Sequence, residues 1–257
     1  MMWGIDISVA SVREITMRAG RIADALIEEE MKRLQKEAPA AKSTPKRILL
    51  SADGAIVPLR NGEWREIKTV AIGEFETKWD AKTQEVVTKT EKVSYFSSAD
   101  RAEEFSDKAI GEWHRRGGEN AEKVVAVNDG AVWIQAFIDY HCPTAIRVID
   151  FAHAQGYVAT VGKALYGAES DRFQQWHPEM SKQLGTKAPQ RTLNKLCFLW
   201  TQNQTHPAAD EIEAAIRYLE RRQTMIDYPH FRKNGIPIGS GMVESGHKVV
   251  MQRRMKT

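Results

Sequence analysis

A chain of 257 residues can bury a sizeable core, as one large domain or two small ones, and its 42% hydrophobic and 28% charged residues read as soluble and globular. The net charge of +3, from 37 basic and 34 acidic residues, is too small to argue for a polyanionic partner by itself. Cys142 and Cys197 have no metal-ligand spacing and read as buried free thiols, which points to a reducing cytoplasm. The opening Met1-Met-Trp-Gly-Ile-Asp6 lacks the basic and apolar stretches of a signal peptide, and no apolar run approaches a membrane span, so no membrane partner is expected.

In chain order, residues 4–36 read as a helix, with Ser11-Val-Arg-Glu14 at capping-box spacing and Ile15, Ala19, Ile22 and Leu26 at helical intervals. Gly4 to Arg13 also resembles the turn and second helix of a helix-turn-helix, without a first helix; an amphipathic linking helix is the other reading. Residues 38–46 form a linker. Strands are expected at 47–53, 64–75 and 85–96, from alternation and β-branched content. A helix follows at 98–116, with Phe105, Ala109 and Trp113 on one face. Then come a strand at 123–128, a helix from Ala131 to about Tyr140 and a strand at 145–150. The order β-β-β-α-β-α-β is the ribonuclease-H-like order as far as its fifth strand.

Beyond His153 the pattern turns helical, with segments at Tyr157–Leu165, Phe173–Leu184 and Leu193–Trp200. After Pro207 comes a stripe of Ile212, Ala215, Ile216 and Leu219. The expected fold is thus α/β: a ribonuclease-H-like mixed sheet with an all-helical insertion, about 154–235, before a last helix beginning near Ser240. The expected division is a helix and linker over 1–45 and an α/β domain over 46–257.

Three acids stand at element ends. Asp53 closes one apolar run, Asp129 closes another, and Glu244 opens a basic segment after a Gly-rich turn. Three carboxylates so placed can hold two divalent cations about 3.5–4 Å apart for in-line phosphoryl displacement, and hard oxygen ligands select Mg²⁺ or Mn²⁺. Each acid also has a plainer reading. Asp53-Gly54 suits a hairpin turn, Asp129 suits a helix N-cap, and Glu244 gains from the helix dipole in a first turn. Asp150 also ends a strand and rivals Asp129 as second acid. Basic residues cluster toward the C-terminus, and Lys248, Arg253, Arg254 and Lys256 are candidates for phosphate contacts. Trp176 and Trp200 are candidates for stacking on a distorted base, with core packing as the alternative.

Four blocks in order carry a resemblance: Asp53-Gly-Ala, Asp129-Gly-Ala-Val-Trp-Ile, Ile149-Asp150-Phe-Ala-His153-Ala and Ile238-Gly-Ser-Gly-Met-Val-Glu244-Ser. From about residue 46 onward the chain resembles the ISKra-type insertion-sequence transposases, DDE enzymes with a ribonuclease-H-like core related to the Mutator-like elements. The resemblance implies catalytic, metal-holding Asp53, Asp129 and Glu244, and Asp150 and His153 as the accessory acid-x-x-His element. It implies Mg²⁺- or Mn²⁺-dependent cleavage and strand transfer at transposon ends and target DNA, by a homo-oligomer at the nucleoid. It also implies that 1–45 is the remnant of a DNA-binding region and 46–257 a catalytic domain. Its members are longer, so a truncated copy is expected. The alternatives are a ribonuclease-H-like nuclease without strand transfer, or an inactive fragment that only binds DNA.

Overall fold

The computed structural model describes residues 7–59, 62–81 and 85–252. It is a mixed α/β structure. Helix α1 (Val9–Glu37) leads into an irregular stretch and then strands β1 (Arg47–Pro58), β2 (Trp64–Asp80) and β3 (Glu85–Ser98). Helix α2 (Ala102–Arg115), strand β4 (Lys123–Asn128), helix α3 (Val132–His141) and strand β5 (Ile146–Ile149) follow. Helices α4 (Phe151–Tyr166), α5 (Asp171–Thr186), α6 (Pro189–Thr201), α7 (Ala209–Glu220) and α8 (Tyr228–Lys233) precede α9 (Gly241–Gly246), which continues as a π-helical turn over His247–Gln252. None of the described helices is long and apolar enough to cross a membrane.

The five strands form one sheet in the order β3-β2-β1-β4-β5. β2 runs antiparallel to β1 and β3, while β1, β4 and β5 are mutually parallel. Side chains alternate across a strand, and the apolar residues divide accordingly. Ile48, Leu50 and Ala52 of β1 and Ala126 of β4 pack with Phe105, Ala109 and Trp113 of α2 and Ile134, Phe137 and Ile138 of α3. Leu49 of β1, Val125 and Val127 of β4 and Val148 of β5 face the opposite layer of α4 to α9. There the expected stripe of Ile212, Ala215, Ile216 and Leu219 is buried along α7. At about 1.5–3 kcal/mol for each large apolar side chain removed from water, these two layers hold the sheet between them.

Several element ends differ from expectation. α1 begins at Val9, where the Ser8 hydroxyl accepts the Ser11 N–H at 3.1 Å. Ser11 is therefore not the cap, and its hydroxyl bonds to that of Ser8 instead. Residues 4–6 of the helix-turn-helix reading lie outside the described residues. α4 starts at Phe151, six residues before the expected Tyr157, because Asp150 caps it. Pro207 stands outside α7, whose cap position is Ala208. Only Leu34 of α1 is fully buried, and Val12, Ile15, Ile22 and Leu26 lie exposed. The helix is tied to α2 by Lys108, whose ammonium reaches Asp24 of α1 and Asp100, each at 3.0 Å.

Candidate active site

Asp53 lies inside β1, which runs on to Pro58 paired with β2, so Asp53-Gly54 is not a hairpin turn. By alternation Asp53 faces the α4–α9 layer, the side that Leu49 takes. β1 pairs with β4 over Arg47↔Lys123 to Leu50↔Ala126, an offset of 123 − 47 = 76 residues. The two acids have the same separation, 129 − 53 = 76. The ladder stops three residues before each acid, so Asp53 and Asp129 both lie just past the end of the parallel pairing, Asp129 just beyond β4.

Asn128, Asp129 and Gly130 turn the chain from β4 into α3. The Asn128 side-chain oxygen accepts the Gly130 N–H at 2.8 Å, and one Asp129 carboxylate oxygen accepts the Ala131 N–H at 2.9 Å. The N-cap position itself is Ala131, so Asp129 steadies the turn rather than capping α3. Among the described residues its other oxygen makes no hydrogen bond. Asp150, at the end of β5, is committed on both oxygens. One caps α4 by accepting the His153 N–H at 3.0 Å, and the other accepts the Ser240 N–H at 2.7 Å and the Ser240 hydroxyl at 2.9 Å. With the Phe151 N–H donated to the Ile238 carbonyl at 2.9 Å, these bonds moor the Gly239-Ser240 turn to β5. Ser240 opens α9, and α9 carries Glu244.

Asp53, Asn128, Asp129, Asp150, His153, Ser240 and Glu244 thereby line one cavity of about 450 Å³. The Asp53 carboxyl titrates above its ordinary range, first because burial penalises its charge; His247, the Gly54 N–H and His153 pull it back, while Asp129 pushes it further up. His247 lies with Nδ1 3.5 Å from Asp53 Oδ2, and its Nε2 is buried without a hydrogen bond. The His153 ring packs edge-on against Tyr157 and Tyr218.

The donor set of three carboxylates is the hard-oxygen type that suits Mg²⁺ or Mn²⁺, and Glu244 makes no side-chain hydrogen bond among the described residues. The side chains as placed do not close into a cage: no three His, Cys, Asp or Glu among the described residues stand close enough to hold a metal ion. Asp53, the most engaged of the three, would have to exchange its His247 contact for a cation.

Of the proposed phosphate-binding residues, Lys248 is exposed, while Arg253, Arg254 and Lys256 lie outside the described residues. Trp176 and Trp200 pack against the α4–α9 core. Cys142 is buried, which pushes its thiol up to about 12. Cys197 is only half-buried, unlike the expectation, and bonds to Glu220. His247 was not foreseen, although its place three residues after Glu244 puts both on one helical face. No protein-family model matches this chain, and no curated protein matches it.

Proposed function

We propose that this chain is a DDE transposase, which cleaves DNA strands and joins them through a metal-dependent site of Asp53, Asp129 and Glu244. The observation that carries the proposal is that Asp53, Asp129 and Glu244 line one cavity, the first two separated by the same 76 residues as the parallel β1–β4 ladder that ends three residues before them. The strand order β3-β2-β1-β4-β5 with only β2 reversed supports a ribonuclease-H-like core, and helices α4 to α8 read as an insertion between β5 and the helix of the third acid. Asp53, Asp129 and Glu244 would hold the divalent cations, which when bound would supply Lewis-acid activation and charge neutralisation.

The chain's own residues divide the remaining work. Asp53, just past the parallel part of β1, and Asp129, just past β4, present negative charge where the parallel pairing ends, the side on which ligands collect in open α/β sheets. Asp150 is a positioning residue in this scheme, because it holds the turn from which α9 and Glu244 project. His153 faces the cavity beside the acids and is placed to contact a phosphate oxygen of the bound strand. Lys248, one turn beyond Glu244, adds positive charge for the DNA backbone, and such contacts weaken as salt rises.

The test is a strand-transfer assay on the purified 257-residue chain, with Mg²⁺ or Mn²⁺, a donor duplex ending in a free 3′-hydroxyl and a supercoiled target. Joined products that vanish in Asp129→Asn support the proposal. Nicking without joining would assign a nuclease, and DNA binding with neither reaction would assign an inactive fragment.

A further inference from the structure

The turn that presents Asp129 is gripped from outside by the C-terminal end of α7 and the residues just past it. Its own bonds use the Asn128 and Asp129 side chains and the Gly130 and Ala131 N–H groups, and leave the carbonyls of Asp129 and Gly130 to other partners. Tyr218 donates its hydroxyl hydrogen to the Asp129 carbonyl, and Arg222 Nη2 donates to the Gly130 carbonyl at 2.9 Å. Tyr218 lies in the last turn of α7, and Arg222 follows two residues past its end. The Arg222 guanidinium lies 3.9 Å over the Tyr218 ring, and Tyr157 of α4 stacks on that ring at 3.8 Å and 13°. Each donor is thus held by an aromatic contact as well as by its own hydrogen bond.

Gly130 shows how closely the grip fits. Its φ of +77° belongs to the left-handed region that glycine occupies without a steric penalty. A Cβ at this position would stand 2.5 Å from the Tyr218 hydroxyl and 2.7 Å from Arg222 Nε. A larger residue would force the Tyr218 and Arg222 side chains, and Ile149 Cδ1 at 2.8 Å, to move, besides straining the backbone. α7 in turn is anchored by its four buried apolar residues, so its polar face is held rigidly against the acid's backbone.

We infer that Tyr218 and Arg222 are positioning residues that set where the Asp129 carboxylate stands. The inference rests on the proposed metal site and deepens it: the α4–α9 layer, besides covering the sheet, fixes one ligand of that site. Outer residues that orient a metal ligand typically change metal affinity by about 10–100-fold when removed. Tyr218→Phe keeps the ring and its stacking and removes one hydrogen-bond donor. Arg222→Gln removes the guanidinium and serves if the tyrosine variant does not fold.

The experiment titrates wild type, Tyr218→Phe, Arg222→Gln and Asp129→Asn with Mn²⁺ alone by calorimetry. It also follows amide hydrogen exchange at Gly130 and Ala131 without metal. Expected are a loss of Mn²⁺ affinity of about tenfold in each clamp variant, little change in melting temperature, and faster exchange at the two amides. Unchanged affinity and exchange in both clamp variants, with Mn²⁺ binding lost in Asp129→Asn, would overturn the clamp and leave the metal site standing. Wild type that binds no Mn²⁺, or binds it equally well as Asp129→Asn, would overturn the site and the clamp with it.

Discussion

The ends of β4 and β5 invite comparison, since each closes a short apolar parallel strand with an aspartate and leads into a helix. The two ends are joined directly, by the Asp150 N–H donating to the Asn128 carbonyl at 2.8 Å. At the end of β5, both oxygens of Asp150 are consumed by the fold, as cap of α4 and anchor of the Ser240 turn. At the end of β4, Asp129 gives one oxygen to its own turn and keeps the other toward the cavity, while its backbone is held by a different helix. A carboxylate that serves structure is surrounded by donors. One available for a ligand has its donors moved to the neighbouring backbone. Sequence position alone cannot separate the two, and hydrogen-bond accounting can.

The largest expected effect is that of Asp129→Asn. Removing a positioned electrostatic group costs on the order of 10²–10³ in rate, so cation-dependent cleavage should fall at least that far with the fold intact. Next is Asp150→Ala, which takes away a cap and strands the Ser240 donors; chemical denaturation should show a loss of about 2–4 kcal/mol. An outcome in which Asp150→Asn is inactive yet as stable as wild type, while Asp129→Asn still cleaves, would exchange the two roles. Ser240→Ala removes only the hydroxyl from the Asp150 anchor, and should cost about 0.5–1.5 kcal/mol, read by the same denaturation. A cost as large as that of Asp150→Ala would mean the cap of α4 contributes nothing.

The smallest effect is a pH dependence at Asp53, the acid next to Asp129. Burial raises its carboxyl above the ordinary range, so the folded chain holds that proton more tightly than the unfolded one. The stabilisation this gives is present below the unfolded value and is lost as pH rises through the folded one. With 39% of the side chain exposed, solvent screens much of the difference. Asp53→Asn never ionises. It should melt slightly higher than wild type at neutral pH without added cation, with the gap closing in acid. A gap that widens in acid would reverse the sign.

Much of this architecture is legible in the chain. The continuous apolar runs Ile48-Leu-Leu50 and Val124-Val-Ala126 announce strands covered on both faces, and the stripe from Ile212 to Leu219 announces α7, because these patterns are local signals. Capping is local too, but ambiguous. Ser8 and Ser11 both have suitable hydroxyls, and only the backbone geometry selects Ser8. Asp53 and Asp129 could be picked out as acids that end apolar runs. Their offset of 76 acquired meaning only once the register of β1 and β4 was known. His247 escaped notice because a search for phosphate-binding cations favours lysine and arginine. Tyr218 and Arg222 leave no sequence mark at all, since their partners lie 89 and 92 residues away.

The short pairing of β1 with β4 has a geometric consequence. Parallel neighbours run about 4.8 Å apart while their ladder lasts, and here it lasts four residue pairs. β1 then continues for eight residues with β2 as its strand partner, in a span that still includes β3 as far as Gly54 and has two strands beyond. The cavity lined by Asp53, Asp129 and Glu244 therefore opens beside the point where parallel pairing stops, with Asp53 on the part of β1 that has outrun β4 and Asp129 in the turn just past β4.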